Sequence, residues 1–253
     1  MSEQTEANII LITGASAGIG AALARHLAPK GHKLVLVARR ADRLAEVAAD
    51  CGENALAVVA DVTDQAQLDA ALAAAIARFG HLDVWVSNAG QGITRQPSQL
   101  TDSDLDAIVN INVKAVWNGV RAALPHFAER GTGQFIHVSS MLGRLPFAPI
   151  RSAYVGAKHM MNALTAALRI ELAQTHPGVV VSLVSPGVVF TEFGASALHG
   201  GPDSRAFPDG QTAEEVAAVI EQAILTRATD LYTRAGAQAR IAGYYATLGS
   251  DPA

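Results

Sequence analysis

The sequence contains a single cysteine and no long uncharged apolar run, and both absences exclude classes of protein. Cys51 alone can form neither an intrachain disulfide nor a thiolate zinc cluster. The longest uncharged candidate for a membrane span, Pro177 to Thr191, is interrupted by serines, a proline and a glycine. The segment MSEQTEAN is polar and acidic, unlike a secretory signal. We therefore expect a cytoplasmic protein with no membrane partner.

Basic blocks and metal-ligand spacings are also missing. The 19 lysines and arginines are outnumbered by 23 acidic residues, which gives a net charge of −4 and no basic face for nucleic acid. The 8 histidines are scattered, without an H-E-x-x-H or similar ligand spacing. We expect no nucleic-acid partner and no metal site.

Short apolar runs dominate what remains of the chain, which has 253 residues and is 50% hydrophobic. These runs do not alternate with polar residues, a pattern typical of strands buried on both faces of a parallel sheet. The predicted strands are Asn8–Thr13, Lys33–Ala38, Ala55–Ala60, Leu82–Ser87, Gln134–Ser139, Val179–Ser185 and a weaker Asp230–Thr233.

Alanine- and leucine-rich segments of helical period separate these strands. One set, with members three or four residues apart, is Leu68, Leu72, Ala75, Ile76 and Phe79. The alternation predicts an α/β fold: a Rossmann-type, doubly wound parallel sheet of seven strands with helices on both faces. No linker or repeat divides the chain, so we predict one domain over residues 1–253. Its irregular loop at about 190–211 has a length typical of a substrate-binding segment.

A glycine-rich loop, TGASAGIG, follows the first strand and spans Thr13 to Gly20. Glycine allows a tight turn and a close approach to a ligand, and the amides that begin the next helix attract phosphate. The spacing is G-x-x-x-G-x-G rather than the dinucleotide fingerprint G-x-G-x-x-G. A strand–helix turn without a ligand is the alternative, but the position of the loop favours a pyrophosphate site.

A tyrosine and a lysine in YVGAK lie four residues apart, so Tyr154 and Lys158 share one face of a predicted helix. An ammonium group beside a phenol lowers the phenol's pKa from near 10, which suits acid–base catalysis. Upstream, Ser139 and Ser140 end a strand, where catalytic groups of open α/β sheets gather. A serine hydroxyl there can bind a substrate oxygen. Tyr-x-x-x-Lys alone also occurs on ordinary helix surfaces.

Taken in order, these motifs resemble the short-chain dehydrogenase/reductase family in its single-domain branch, from about Ile9 to Thr191. The glycine loop of that family has the T-G-x-x-x-G-x-G spacing found here. The resemblance implies an oxidoreductase that transfers a hydride between a nicotinamide cofactor and a carbonyl or secondary alcohol.

The resemblance also implies catalytic roles. Tyr154 exchanges the proton, Lys158 lowers the pKa of Tyr154 and binds the nicotinamide ribose, and Ser140 orients the substrate oxygen. Ser139 is the fallback for Ser140, because the separation from the tyrosine is one residue longer than expected. Asn112, in INVKAVWNG, matches the helix asparagine that holds a water linked to the lysine.

Other family motifs imply the cofactor contacts. ADVTD holds the adenine dipeptide, SNAG departs from the family's N-N-A-G only at Ser87, and SPGVVFT cradles the carboxamide. A competing interpretation has Asp61 or Thr63 cap the next helix. The predicted cofactor-binding residues are Thr13, Gly14, Ser16, Gly18, Ile19, Gly20, Arg39, Arg40, Asp61, Val62, Asn88, Ala89, Gly90, Tyr154, Lys158, Pro186, Gly187, Val189 and Thr191.

Two arginines indicate which cofactor is preferred. Arg39 and Arg40 follow Ala38 at the end of the second strand, where a carboxylate would select NAD(H). A guanidinium can bind a 2′-phosphate with two parallel hydrogen bonds. Two solvated arginines at a helix start are the alternative, and Ala17 lacks the basic residue that NADP-preferring relatives often have. We predict a preference for NADP(H), governed mainly by Arg39, with NAD(H) possible.

The substrate and the assembly are less sharply indicated. Apolar pocket candidates predict a hydrophobic small-molecule substrate; they are Leu142, Phe147, Phe190, Phe193, Leu198 and Phe207. The predicted helix Asp104–Glu129 carries Trp117 and an apolar stripe of Val113, Val116 and Val120. Because this helix pairs with a second subunit in the family, we expect a homodimer or homotetramer.

Two other functions fit parts of the pattern. A non-catalytic NAD(P)-sensing protein of the same fold typically loses the tyrosine or the lysine, and both are present here. A sugar-nucleotide epimerase of the extended branch needs a larger C-terminal substrate domain than this length allows. The enzyme is therefore the preferred interpretation.

Overall fold

A parallel sheet forms the centre of the computed structural model, which describes residues 7–249. Its strands are β1 (Ile9–Thr13), β2 (Lys33–Ala38), β3 (Ala55–Val59), β4 (Val84–Ser87), β5 (Gly133–Val138), β6 (Val179–Ser185) and β7 (Asp230–Tyr232). They pair in the order β3-β2-β1-β4-β5-β6-β7. The order reverses between β1 and β4, which opens a crevice beyond their carboxyl ends.

Helices cover both faces of this sheet, which confirms the predicted fold class. They are α1 (Gly18–Leu27), α2 (Ala41–Cys51), α3 (Gln65–Phe79), α4 (Asp102–Val109), α5 (Ala115–Arg130), α6 (Ser152–Thr175), α7 (Ala213–Thr226) and α8 (Ala237–Tyr245). One face is covered by α1, α2 and α7, and the other by α3, α5 and α6. Successive residues of β1 serve both layers: Ile10 and Ile12 pack towards the first, Ile9 and Leu11 towards the second.

The predicted long helix over Asp104–Glu129 is interrupted. Asn110–Lys114 forms a π-helical turn between α4 and α5, a distortion that often accompanies a functional site. The apolar stripe on this helix was expected to contribute to pairing with a second subunit, and that expectation is wrong. Val113, Val116 and Val120 are all buried within the single chain, so they are not available to a second subunit.

Side-chain caps fix where several helices begin. Thr101 and Asp104 form a capping box at α4, and Thr212 and Glu215 form one at α7. Asp64, rather than Asp61 or Thr63, caps α3 by accepting hydrogen bonds from two backbone amides. Asp61 is therefore not the helix cap that the competing interpretation required.

The loop predicted at 190–211 is irregular but anchored at several points. At its ends, the Phe190 amide donates to the Gln211 carbonyl at 2.9 Å. In its middle, the Leu198 amide donates to the Gly92 carbonyl at 2.9 Å. His199 Nε2 lies 2.7 Å from Asp104 Oδ1, which connects the loop to the start of α4.

The helices that the structure describes lack membrane-spanning character. Within residues 7–249, no helix combines the length and the apolarity that crossing a bilayer requires.

Candidate functional site

Two glycines of the loop pack so closely against neighbouring backbone that neither position has room for a side chain. Gly14 has φ +69°, and a Cβ on it would lie 2.9 Å from the Ala89 Cα. A Cβ on Gly20 would lie 2.5 Å from the Gly14 carbonyl oxygen. Because these obstacles are backbone atoms, a larger residue at either position must displace the loop.

Thr13 and Asn88 hold the loop in this position. The Thr13 hydroxyl donates to the Val86 carbonyl at 3.2 Å and accepts from the amides of Asn88 and Ala89 at 3.0 and 3.1 Å. The Asn88 side chain donates to the Thr13 carbonyl at 2.9 Å. Thr13, unlike Asn88, does not line the cleft. Its predicted role in cofactor binding is thus indirect, through the shape of the loop.

The start of α1 is open to an anion. Ala17 precedes the helix and has no side chain that could cap it, and the first turn contains no acidic residue. Ser16, Gly18 and Ile19 line a cleft of about 1200 Å³ beside this turn. Backbone amides at an uncapped helix start suit a pyrophosphate, so these residues fit a dinucleotide cofactor.

Basic side chains lie at the end of the cleft beyond β2. Arg40 donates from Nε and Nη2 to the Ser16 hydroxyl at 3.2 Å. Arg39 Nη1 lies 3.6 Å from Asp61 Oδ2, and its side chain is 68% exposed. Val62 lines the cleft and is held by Asn118, whose side-chain amide donates to the Val62 carbonyl at 3.0 Å. Asp61 itself does not line the cleft.

Ser140, Tyr154 and Lys158 converge on the cleft from β5 and α6. Lys158 Nζ lies 5.7 Å from the centre of the Tyr154 ring and donates to the Val138 carbonyl at 2.9 Å. The Ser140 hydroxyl accepts from the Leu142 amide at 3.1 Å and lowers the pKa of the Tyr154 phenol. Ser139 turns its hydroxyl to Asn162 instead. Ser140 therefore suits the predicted role better than Ser139.

The ionisation of this pair differs from the expectation. Burial raises the pKa of Tyr154 to about 12, opposed by the Ser140 hydroxyl and the Arg151 charge. Burial lowers the pKa of Lys158 to about 8. The expected depression of the tyrosine pKa by Lys158 is not found in the chain alone, because desolvation outweighs the neighbouring charges.

Asn112 lies behind the cleft wall, in the π-helical turn. Its side-chain amide donates to the carbonyls of Gln91 and Ile108 at 2.9 and 3.0 Å. A Cβ on Gly90 would lie 2.9 Å from Asn112 Oδ1 and 3.9 Å from Lys158 Nζ. The asparagine and the lysine thus flank the same glycine, and the π-helical turn brings Asn112 there.

The segment after β6 crosses the glycine loop. Pro186, Gly187, Val189 and Thr191 line the cleft, and Thr191 Cγ2 lies 3.3 Å from the position of a Cβ on Gly18.

Beyond this crossing, Glu192 Oε2 pairs with Arg43 Nη1 at 2.8 Å and lies 3.9 Å from Arg40 Nη1. We call Thr191 and Glu192 the strap, because through them the loop at 190–211 contacts both the glycine loop and the start of α2.

The apolar pocket is partly as predicted. Leu142, Phe147, Phe193 and Phe207 line the cleft, whereas Phe190 and Leu198 do not. Phe190 packs over Gly210, and Leu198 pairs with the strand-like segment at Gly92.

Arginines also line the substrate side of the cleft, and sequence reasoning missed them. Arg151 and Arg234 are both part of the cleft wall. Arg151 stands three residues before Tyr154, a spacing that brings two helical side chains to one face. That spacing was the available signal.

Comparison with known proteins agrees with these motifs. Residues 8–200 match the short chain dehydrogenase family. The oxidoreductase UcpA of Escherichia coli is 36% identical over 188 residues, covering 74% of this chain and 71% of UcpA. An uncharacterized oxidoreductase of Staphylococcus epidermidis is 36% identical over 183 residues, covering 72% of this chain and 78% of its own.

Solved structures share the whole architecture. A short chain dehydrogenase/reductase from Burkholderia phymatum in complex with NAD superposes with a TM-score of 0.87 at 25% identity, covering 99% of each chain. A short-chain dehydrogenase from Sphingobium yanoikuyae in complex with NADPH gives 0.79 at 26% identity, covering 97% of this chain and 98% of its own. The chain therefore belongs to the short-chain dehydrogenase/reductase family and is an oxidoreductase that binds NAD(P).

Proposed function

We propose that this protein interconverts carbonyl compounds and secondary alcohols, with NADP(H) as the preferred cofactor and a largely apolar substrate. The observation that carries the proposal is the convergence of Ser140, Tyr154 and Lys158 at one cleft. A phenol and a hydroxyl that line the same cleft can together bind one substrate oxygen.

Bound cofactor supplies the hydride to the carbonyl carbon, or accepts it from the alcohol. Tyr154 gives its phenolic proton to the carbonyl oxygen, and in the reverse direction the phenolate takes the proton back. Ser140 donates a hydrogen bond to the same oxygen. Lys158, with its ammonium beside the ring, stabilises the phenolate that remains after proton transfer. A pKa of about 12 keeps Tyr154 protonated in the free protein, which suits the direction of reduction.

The proposal is tested by following NADPH consumption across a panel of ketones and aldehydes, with wild type and Tyr154→Phe. We expect Tyr154→Phe to lower kcat by about 100- to 10,000-fold, because the proton donor is lost. Binding of NADP⁺ should stay within about twofold. Tyr232→Phe, which removes a phenol from β7 outside the cleft, should leave both quantities unchanged. Near-normal turnover by Tyr154→Phe would overturn the assignment.

The cofactor preference rests on Arg39 and Arg40. Both line the cleft, and Arg40 is already fixed by its bonds to Ser16. Among residues 7–249, Arg39 is held by one distant contact, with Asp61, so its guanidinium can turn towards a 2′-phosphate. Arg39 therefore remains the main proposed determinant, with NAD(H) as the second cofactor.

Replacing Arg39 by aspartate tests this preference. We expect the ratio of the Kd values for NAD⁺ and NADP⁺ to shift towards NAD⁺ by about 10- to 100-fold, because a phosphate-binding pair becomes a repulsion. Arg78→Asp, an equal charge change on α3 away from the cleft, is the control. An unchanged ratio in Arg39→Asp would reject the role.

Assembly and location stay predictions from the sequence. We propose a homodimer or homotetramer in the cytoplasm. The buried valine stripe does not support this assembly. Exposed apolar side chains that could contact a second subunit are Leu105 on α4 and Met160 and Ile170 on α6. Sedimentation of a monomer alone would contradict the assembly.

A further inference from the structure

Arg151 reaches into the substrate side of the cleft from the turn before α6. A short 3₁₀ turn, Pro149–Arg151, ends at this residue. Its Nη1 lies 2.8 Å from where a Cβ on Gly92 would be, and its Nη2 lies 3.3 Å from the Cβ position of Gly201. The guanidinium thus occupies space that two glycines leave free.

One nitrogen of the guanidinium is buried without a partner. Nη1 of Arg151 is shielded from solvent, and within residues 7–249 it has no hydrogen-bond partner. In the same part of the chain, no carboxylate lies within ion-pair distance of Arg151. The hydroxyl of Thr94 is also buried without a partner, and it lies 2.6 Å from the Cβ position of Gly201. Buried donors of this kind are costly unless a ligand binds them.

The surrounding charges leave the positive charge of Arg151 uncompensated. Arg234 and Arg240 line the same side of the cleft. Of the two acidic residues in the cleft wall, Glu192 is paired with Arg43 at 2.8 Å, which leaves Asp209. A substrate that enters this region meets a positive potential.

The guanidinium is also close to the reaction centre. A Cβ on Gly92 would lie 2.8 Å from Arg151 Nη1 and 3.1 Å from Phe193 Cε1, and the Phe193 ring centre lies 5.6 Å from that of Tyr154. A substrate whose carbonyl oxygen contacts Tyr154 therefore places its neighbouring atoms within reach of Arg151. Leu142, Phe193 and Phe207 provide apolar walls for the rest of the molecule.

We propose that Arg151 binds a carboxylate of the substrate, so that the preferred substrates are oxo acids with an apolar body, or the corresponding hydroxy acids. The inference rests on the proposed function and specifies its substrate class. A planar guanidinium matches a carboxylate with two parallel hydrogen bonds. Thr94 supplies a further donor on the same side.

Matched acids and esters separate this role from a general effect on Tyr154. The probes are benzoylformate, 2-oxo-4-phenylbutanoate and 4-oxo-4-phenylbutanoate, each with its methyl ester, assayed by NADPH consumption. We expect wild type to prefer at least one acid over its ester. In Arg151→Met, kcat/KM for that acid should fall about 10- to 100-fold more than for the ester, mainly through KM. Arg151→Lys should retain part of the preference.

Arg240→Met is the matched control. It removes an exposed cation of the same cleft that lies 5.5 Å from the Phe147 ring. Because solvent and salt screen an exposed charge, it should change the acid-to-ester ratio by less than about twofold. A change that Arg151→Met imposes equally on acids and esters would reduce Arg151 to an influence on Tyr154 and overturn the inference. Esters reduced in preference to every acid by wild type would do the same.

Binding provides a readout that does not require turnover. Calorimetric titration of 4-phenylbutanoate into the protein saturated with NADP⁺ should show binding to wild type and a loss of at least about tenfold in Arg151→Met, with far-UV circular dichroism checking the fold. Equal binding by both proteins would overturn the anion site. If no carbonyl compound is reduced at all, the proposed function fails, whereas carboxylate binding still decides the role of Arg151.

Discussion

Lys158 is almost entirely buried, although its ammonium is a group that water normally solvates. Its Nζ has one backbone acceptor, the Val138 carbonyl, and burial lowers its pKa to about 8. The residue can therefore hold or release a proton near the working pH. Tyr154, with its pKa raised to about 12 by burial, stays protonated over the same range.

The depressed pKa of Lys158 predicts a pH dependence of stability. Between pH 8 and 10.5, the folded state has released the lysine proton while the unfolded state still binds it. The unfolded state thus binds more protons, so the free energy of unfolding rises with pH in this window. Relative to Lys158→Met, wild type should gain about 2 kcal/mol between pH 7 and 9.5.

Urea unfolding at a series of pH values measures this difference. Groups that titrate alike in both proteins cancel, and the range stays below pH 10, where the raised pKa of Tyr154 begins to act in the opposite sense. Parallel curves for wild type and Lys158→Met would contradict the prediction.

Single residues show how far the sequence could lead. Tyr154, Lys158 and Ser140 follow from a motif because their chemistry is local to one strand end and one helix turn. Arg151 stands in the 3₁₀ turn just before that helix, but its importance depends on missing side chains at Gly92 and Gly201. These glycines are distant in sequence, so no local pattern reveals that Nη1 of Arg151 is buried without a partner among residues 7–249.

Among the elements, the glycine loop is the most constrained. A Cβ on Gly20 would meet the Gly14 carbonyl at 2.5 Å, whereas a Cβ on Gly156 in α6 meets nothing within 4 Å. Gly20→Ala should therefore weaken NADP⁺ binding by about tenfold or more and destabilise the fold by about 1–3 kcal/mol, because backbone must move. Gly156→Ala should stabilise it by up to about 1 kcal/mol, through helix propensity.

Titration of NADP⁺ by fluorescence and thermal unfolding measure both effects. Because the same glycine-to-alanine change is made at both positions, the pair separates the effect of local packing from the effect of the substitution itself. Equal behaviour of the two variants would show that close approach of the loop is not what Gly20 provides.

One carboxylate, that of Asp104, joins the middle of the loop at 190–211 to α4. Asp104 accepts from Thr101 in the α4 capping box and also pairs with His199 and Arg95, which together hold its pKa below the ordinary range. His199→Ala should release the loop and leave the cap intact. We expect faster hydrogen exchange at the amides of Thr94 and Leu198, whose bonds join the loop to the segment after β4.

Hydrogen exchange followed by mass spectrometry checks this prediction. Arg205→Ala removes another side chain of the same loop. Within residues 7–249 this side chain forms hydrogen bonds only with Asp203, so its loss should leave the exchange of both amides unchanged. Protection that survives in His199→Ala would place the anchor elsewhere.

Element boundaries were predictable to different degrees. Apolar runs placed β2 and β6 correctly, because both are buried along their length. Helical periodicity persists through the π-helical turn at Asn110–Lys114, so the sequence pattern does not indicate it. Within this turn, Asn112 makes two tertiary hydrogen bonds with Gln91, a residue that lies outside the helix. The loop was recognised by length and composition, but its anchors come from residues about 100 positions away.

At the scale of the whole molecule, one sheet carries both the cofactor loop and the substrate cleft. That residues 1–253 form a single domain stays a prediction from the sequence, in which no linker or repeat divides the chain. We expect one calorimetric transition whose van't Hoff and calorimetric enthalpies agree. Two separable transitions for the isolated subunit would contradict it.

The strap has a kinetic consequence. Thr191 lies against the glycine loop, and Glu192 reaches Arg43 through a half-exposed ion pair, so we expect the pair to slow the passage of a dinucleotide into and out of the cleft. Since exposed ion pairs are weak and screened by salt, raising ionic strength should hasten the departure of coenzyme and speed turnover whenever that departure is the slowest event in the cycle.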